Sequence, residues 1–210
     1  MTDLKNIKLH YLFFENNTSV AVNLSAYCSK MLVLINYEYV RHTIDEWKSH
    51  KQTLLAQNIC NPTLPYMTID GKYYGKTASI LRFLSHKLNK YEGSNDDEVQ
   101  LLDAYTDSIM DWSTRWMDSN FDFFNEKMIK KYNEEMSPQF HKTFDTALSN
   151  TPGPFLLGEA ITYPDFALYH IMEDDTHVKF DVKALPNLAT FVEAIRNRPN
   201  LKTYLATDRL

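Results

Sequence analysis

Hydrophobic and polar positions along the chain change period once, near residue 89, and that change organises the prediction. Ile7-Lys8-Leu9-His10-Tyr11-Leu12-Phe13 alternates at its start and is rich in β-prone residues, which predicts a first strand. Glu15-Asn16-Asn17-Thr18 breaks it, and Ser19 to Leu34 reads as a helix with Val20, Leu24, Met31 and Leu34 among its apolar positions. Tyr37 to Ile44 predicts a second strand that ends in polar Asp45-Glu46. Trp47 to Gln57 fits either a short helix or an irregular loop. Tyr66-Met67-Thr68-Ile69 and Lys72-Tyr73-Tyr74 flank Asp70-Gly71, a pair that accepts the positive φ angles of a type I′ turn, so they predict a hairpin. From Thr77, a predicted N-cap, Ile80, Leu84 and Leu88 fall on one helical face.

The polar run from Lys90 to Asp97 reads as a linker, and beyond it no strand pattern remains. Val99 to about Asn120 predicts a long helix with Leu102, Tyr105, Ile109 and Trp112 at helical spacing. Phe121 to Tyr132 and Ser137 to Ser149 predict two more. Thr162 followed three residues later by Asp165 forms a capping box with Pro164 in the first turn, and predicts a helix from Tyr163 to about Glu173. The tail predicts a helix broken at Pro199 and a short final helix. The expected architecture is thus α/β over residues 1–89, a linker over 90–98 and an all-α region over 99–210.

Composition narrows the function classes. A net charge of -5 with scattered basic residues argues against a nucleic-acid or anionic-membrane binder. No apolar run approaches the ~20 residues of a spanning helix, and the first residues lack the pattern of a secretory signal. The two cysteines, Cys28 and Cys60, have the spacing of neither a zinc site nor a redox pair, and the expected setting is the reducing cytosol.

The stretch Asn61 to Leu88 also carries candidate chemistry. The first amides of a helix are an anion site, and Thr77 adds a hydroxyl and Lys76 a cation there. A cis Leu64-Pro65 bond would turn the backbone of Leu64 outward, free to pair with an extended peptide. Leu-Pro, strand, Asp-Gly, strand, polar pair and amphipathic helix together resemble the glutathione-binding half of the cytosolic glutathione transferases. The capping box and tail resemble the helical second half of that family, so the likeness covers nearly the whole chain. In the family the Leu-Pro bond is cis and the polar pair is usually Gln-Ser, where this chain has Lys76-Thr77.

That resemblance implies a thioredoxin-like domain followed by an all-helical one, glutathione as cosubstrate, a small hydrophobic electrophile and a homodimer. Its sigma class, which includes prostaglandin D synthases and S-crystallins, carries a catalytic tyrosine where this chain has Tyr11. The chemistry suits the residue. A thiol near pKa 8.5 is mostly protonated at neutral pH, and a neutral hydroxyl that bonds the thiolate better than the thiol lowers that pKa. Trp47 and Lys51, four residues apart, match the pair that holds the glycine carboxylate in that class. The resemblance assigns Leu64, Pro65, Lys76 and Thr77 to the tripeptide as well, and Asp111, one turn from Asp107, to its α-amino group across the dimer. Leu12, Phe13, Tyr105, Ile109, Trp112 and Trp116 are the apolar candidates for a second pocket. Asn16-Asn17-Thr18-Ser19 stands where most sigma-class chains have Gly-Arg-Ala-Glu, so an arginine that organises the site is replaced by Asn17. A glutathione-dependent isomerase and a non-catalytic member of the fold are the alternative readings.

Overall fold

The computed structural model describes residues 4–12, 37–121, 125–175 and 183–205. The predicted helix Ser19 to Leu34, Phe13, Asn17 and Cys28 lie outside them. The chain divides into two compact units, Met1–Asn89 and Lys90–Leu210.

The first unit is built on a four-stranded sheet of order β2-β1-β3-β4, with β1 Ile7–Leu12, β2 Glu38–His42, β3 Tyr66–Ile69 and β4 Lys72–Gly75. β1 runs parallel to β2 and antiparallel to β3, and β3 is antiparallel to β4. The hairpin turns at Asp70 and Gly71, whose φ angles of 49° and 80° are the positive pair the Asp-Gly sequence predicts. Alternation along β1 puts Leu9 and Tyr11 on one face and Lys8 and His10 on the other.

Helix α1 (Ile44–Ala56) covers the His10 face, so the segment after Trp47 is helical rather than irregular. It begins earlier than expected because Thr43 and Glu46 form a capping box: the Thr43 hydroxyl accepts from the Glu46 N–H at 3.3 Å while the Thr43 N–H donates to the Glu46 carboxylate at 2.7 Å. Helix α2 (Thr77–Leu88) buries Ile80, Leu81 and Leu84 against β3 and β4, and Phe83 stacks on Tyr74 with ring centroids 4.3 Å apart. Its N-cap is Lys76, not Thr77, which is the first helical residue. Threonine has the better cap chemistry, but the chain leaves β4 at Gly75 and reverses into α2 at Lys76, which takes φ 68° and ψ 119°.

The second unit is helical. Its long helix α3 spans Asp96–Phe121 and starts inside the stretch that reads as a linker, because Asn95 caps it: the Asn95 side chain accepts from the Glu98 N–H at 3.0 Å. Leu102, Ile109, Trp112 and Trp116 of α3 are buried. Helix α4 (Glu126–Lys131) leads through a π-helical turn, Tyr132–Met136, into α5 (Ser137–Ser149). Helix α6 (Tyr163–Asp174) packs against α3, α7 (Pro186–Arg196) packs against α5, and α8 spans Pro199–Leu205.

Helix α6 is buried at every position from Tyr163 to Ile171, which makes it the core element of this unit. Its start rests on Asp165, a fully buried carboxylate that accepts from the Thr162 N–H at 2.7 Å, the Thr162 hydroxyl at 2.6 Å and the Leu156 N–H at 3.0 Å. Burial pushes the Asp165 carboxyl up to about 6, against the pull of those three donors. Asp165→Ala strips the acceptor from two buried backbone donors, each of which costs about 1–3 kcal/mol when left unpaired. The expected loss is about 3 kcal/mol of unfolding free energy, read from urea melts; a loss under about 1 kcal/mol would show that the loop before α6 relaxes to water.

Candidate active site

Strand register gathers four of the predicted site residues at one end of the sheet, beside Tyr11. Tyr66 at the start of β3 lies opposite His10 of β1 and also opposite Gly75 of β4. The residues that precede Tyr66 are Leu64 and Pro65, joined by a cis peptide bond, and those that follow Gly75 are Lys76 and Thr77. Tyr11 follows His10, so all five stand at that end of the unit, where β1 finishes, β3 starts and β4 finishes. Tyr11 is buried, with 6% of its surface exposed; Leu64 and Thr77 are half-buried and Lys76 is exposed.

Trp47 and Lys51 sit on α1, four residues apart and therefore on one helical face. Trp47 is half-buried, its ring 6.0 Å from that of Tyr66, so α1 joins the same end of the sheet. Asp111 belongs to the second unit, exposed on α3 together with Asp107. Of the apolar candidates, Ile109, Trp112 and Trp116 are core of the helical unit, where Trp112 stacks on Phe140 at 5.3 Å and donates to the Tyr132 hydroxyl at 2.9 Å. Leu12 and Tyr105 are half-buried.

The start of α2 differs from those of α1, α3, α4 and α7. Side chains meet the first amides of α1 (Thr43), α3 (Asn95), α4 (Asn125) and α7, where Asp145 of α5 accepts from the N–H groups of Asn187 and Leu188 at 2.9 and 3.0 Å. The N-cap of α2, Lys76, makes no side-chain cap, and the terminus carries no acidic residue in its first turn. A helix N-terminus whose N-cap makes no side-chain cap, flanked by a lysine and a threonine hydroxyl, is suited to a carboxylate.

Two arrangements were missed in the sequence. One is a stack of rings on the α1 face of the sheet, formed by His10, His42, His50 and Tyr66, with Trp47 at its edge. The other is a buried group in the helical unit, where the Ser137 hydroxyl donates to Asp175 at 2.5 Å and lies 3.3 Å from His141. Its residue types are those of a hydrolytic triad, but the serine bonds the carboxylate directly and is fully buried, so it is a structural bond between α5 and the end of α6.

A mixed β2-β1-β3-β4 sheet with flanking helices, followed by a helical unit, is the arrangement of the glutathione transferase fold. Solved structures agree over almost the whole chain. A pi-class glutathione S-transferase of Onchocerca volvulus matches with a TM-score of 0.79 at 22% identity, over 95% of this chain and 92% of that one. The prostaglandin synthase D of Nilaparvata lugens matches with a TM-score of 0.79 at 21% identity, over 98% and 99%. Residues 110–208 match the family model for the glutathione S-transferase C-terminal domain. In sequence the chain is 26% identical over 181 residues to glutathione S-transferase P 10 of Caenorhabditis elegans, covering 81% of this chain and 79% of that protein. Together these matches show the glutathione transferase fold over nearly the whole chain and the family's C-terminal domain over residues 110–208.

The backbone at Lys76 is the unusual conformation of the site. A non-glycine residue at φ 68° and ψ 119° carries strain of about 1–3 kcal/mol. Glycine relieves it at an entropic cost of about 0.5–1 kcal/mol in the unfolded chain. Lys76→Gly is therefore expected to raise the unfolding free energy by about 1 kcal/mol in urea melts; an equal or lower value would show that Lys76 holds this geometry without strain.

Proposed function

We infer that this chain is an enzyme, a glutathione transferase that joins the glutathione thiolate to a small, hydrophobic electrophile. The observation that carries the assignment of its site is the meeting of Tyr11, Leu64–Pro65 and Lys76–Thr77 at one end of the sheet, beside a helix N-terminus whose N-cap makes no side-chain cap. Glutathione is an extended tripeptide with a carboxylate at each end, and this end of the unit offers one partner for each part of it. The Trp47 indole N–H and the Lys51 ammonium receive the glycine carboxylate. The Leu64 backbone pairs with the cysteinyl residue next to cis Pro65. The first amides of α2, the Thr77 hydroxyl and the Lys76 charge receive the γ-glutamyl carboxylate. The Tyr11 hydroxyl donates to the sulfur and lowers the thiol pKa, so the thiolate is the species that attacks. A carbon–sulfur bond then forms as the electrophile's leaving group departs or its double bond accepts the electron pair.

The sigma-like assignment rests on Tyr11 with the Trp47/Lys51 pair, and it carries further parts of the proposal. The protein works in the cytoplasm, in keeping with the absence, among the described residues, of a helix long and apolar enough to cross a membrane. It is a homodimer in which Asp111 of one protomer binds the α-amino group of the glutathione held by its partner. Asp111→Ala is expected to weaken glutathione by about 1–3 kcal/mol, the value of a hydrogen bond to a charged group, measured by calorimetry. Full affinity in that variant, or a stable monomer with full activity, removes the shared site.

Tyr11→Phe tests the chemistry. The ring stays to pack, the two carboxylates are held elsewhere, and glutathione affinity should change little. The thiol pKa in the complex should rise towards its solution value, and turnover with a model electrophile should fall by about 10²–10³. Unchanged turnover would take the role away from Tyr11.

A further inference from the structure

The ring stack on the sheet joins two parts of the tripeptide site that are separate in sequence. His50 lies on α1 between Trp47 and Lys51, and its Nε2 is 2.6 Å from the Tyr66 hydroxyl. Tyr66 directly follows cis Pro65. His10 stacks on Tyr66 at 4.2 Å with ring planes 11° apart, and its Nδ1 lies 3.0 Å from Nε2 of His42. His42 in turn stacks on His50 at 5.3 Å, and the Trp47 ring leans on both His42 and His50, at 6.4 and 6.3 Å. Leu54 is the one described residue of α1 that is buried, so these rings, rather than a broad apolar face, hold the front of the helix on the sheet.

We propose that His50 and Tyr66, backed by His10 and His42, are positioning residues that fix Trp47 and Lys51 relative to the Leu64–Pro65 turn and thereby set the affinity for glutathione. The proposal rests on the reading of those four residues as tripeptide contacts. The hydrogen bond sets the spacing between the group that receives the glycine carboxylate and the backbone that pairs with the cysteinyl residue. A misplaced α1 leaves Tyr11 and its hydroxyl where they are, so the strut acts on binding and not on the chemical step.

The stack is also sensitive to acid. Its charged and titratable neighbours are Lys8 on β1, Glu38 on β2, Glu46 on α1, Tyr66 on β3 and Tyr73 on β4; Lys8 and Glu38 pair with each other at 2.8 Å. Burial first, then His42, His50 and Lys8, lower the His10 pKa from 6.5 to about 4, with Glu38 opposing. Burial and then His50 lower that of His42, with Glu46 opposing. The unfolded chain therefore binds more protons than the folded one between 6.5 and about 4. The packing of α1 is at full strength above that window and weakens as the pH falls through it.

Tyr66→Phe keeps the ring and removes the hydrogen bond. Calorimetry should show glutathione affinity reduced about three- to tenfold, the fold-change of one such bond, with kcat within about twofold of wild type. His50→Gln keeps a hydrogen-bonding partner for Tyr66 and should retain affinity near neutral pH; His50→Ala should behave as Tyr66→Phe and takes its place if that variant does not fold. Protein labelled with 5-fluorotryptophan gives three fluorine resonances, and Trp47→Phe identifies the one from Trp47. That resonance should move as the pH falls below about 6.5, and on Tyr66→Phe, while those of Trp112 and Trp116 stay in place. An unchanged affinity in Tyr66→Phe, an equal fall in kcat and kcat/KM, or a Trp47 resonance indifferent to both changes overturns the proposal. If wild type binds no glutathione, the site reading fails, and the fluorine resonances alone decide whether the rings position Trp47.

Discussion

The pairing of Tyr66 with both His10 and Gly75 is the constraint on which the N-terminal unit depends. Side chains alternate along a strand, so a slip of one residue in β3 would turn Tyr66 and Thr68 to the α2 face and Met67 and Ile69 to the α1 face. Met67 is fully buried and Ile69 nearly so, beside Ile80, Leu81 and Leu84, and that apolar cost fixes the register. With the register fixed, the ends of three strands coincide. Leu64–Pro65, Lys76–Thr77 and Tyr11 meet because Met67 and Ile69 must be buried, so the core of this unit and its candidate site are settled by the same choice.

The helical unit solves a different problem. Helix α6 is buried on all sides in its first turns and has no solvated face on which to place its unpaired amides. Asp165 supplies the acceptor from within the helix and also holds the preceding chain at Leu156, so one carboxylate orders both the helix and its approach. Asp145 performs the corresponding task for α7 from a neighbouring helix. The start of α2 contrasts with both, since its N-cap, Lys76, makes no side-chain cap and its first turn carries no acid.

Much of this was legible where the cause is local. Asp70-Gly71 states its turn in two residues, and Thr162-x-x-Asp165 states a helix start in four. Thr43-x-x-Glu46 and Asn95-x-x-Glu98 carry the same kind of signal, but both lie in polar stretches that read as a strand end and a linker, and both helices begin there. Lys76 was not legible as an N-cap, because cap preference favours Thr77 and the positive φ at Lys76 is imposed by the path from β4 into α2. The ring stack was hidden for a related reason. His10, His42, His50 and Tyr66 belong to β1, β2, α1 and β3, no motif spans them, and only a completed sheet brings them together.

Charge appears at first to oppose the proposed ligand, since glutathione is anionic at neutral pH and the chain has a net charge of -5. Distance and pairing decide the matter. Charges more than a Debye length away, about 8 Å at physiological salt, are largely screened, so the local arrangement outweighs the total. The acids near the front of α1 are engaged: Asp45 pairs with Lys48 at 2.9 Å, and Glu46 is bonded to the Thr43 N–H and hydroxyl at 2.7 and 2.9 Å. Those bonds with Thr43 hold the Glu46 carboxyl below its usual range. The acids of α1 thus serve its own N-terminus, where negative charge is favourable, while Lys51 lies towards its other end. Helix α2 has no acid in its first turn and begins with Lys76. The same helix-end rule yields opposite arrangements on the two helices: α1 satisfies its N-terminus internally, whereas the N-cap of α2 makes no side-chain cap, which is what the proposed anion site requires.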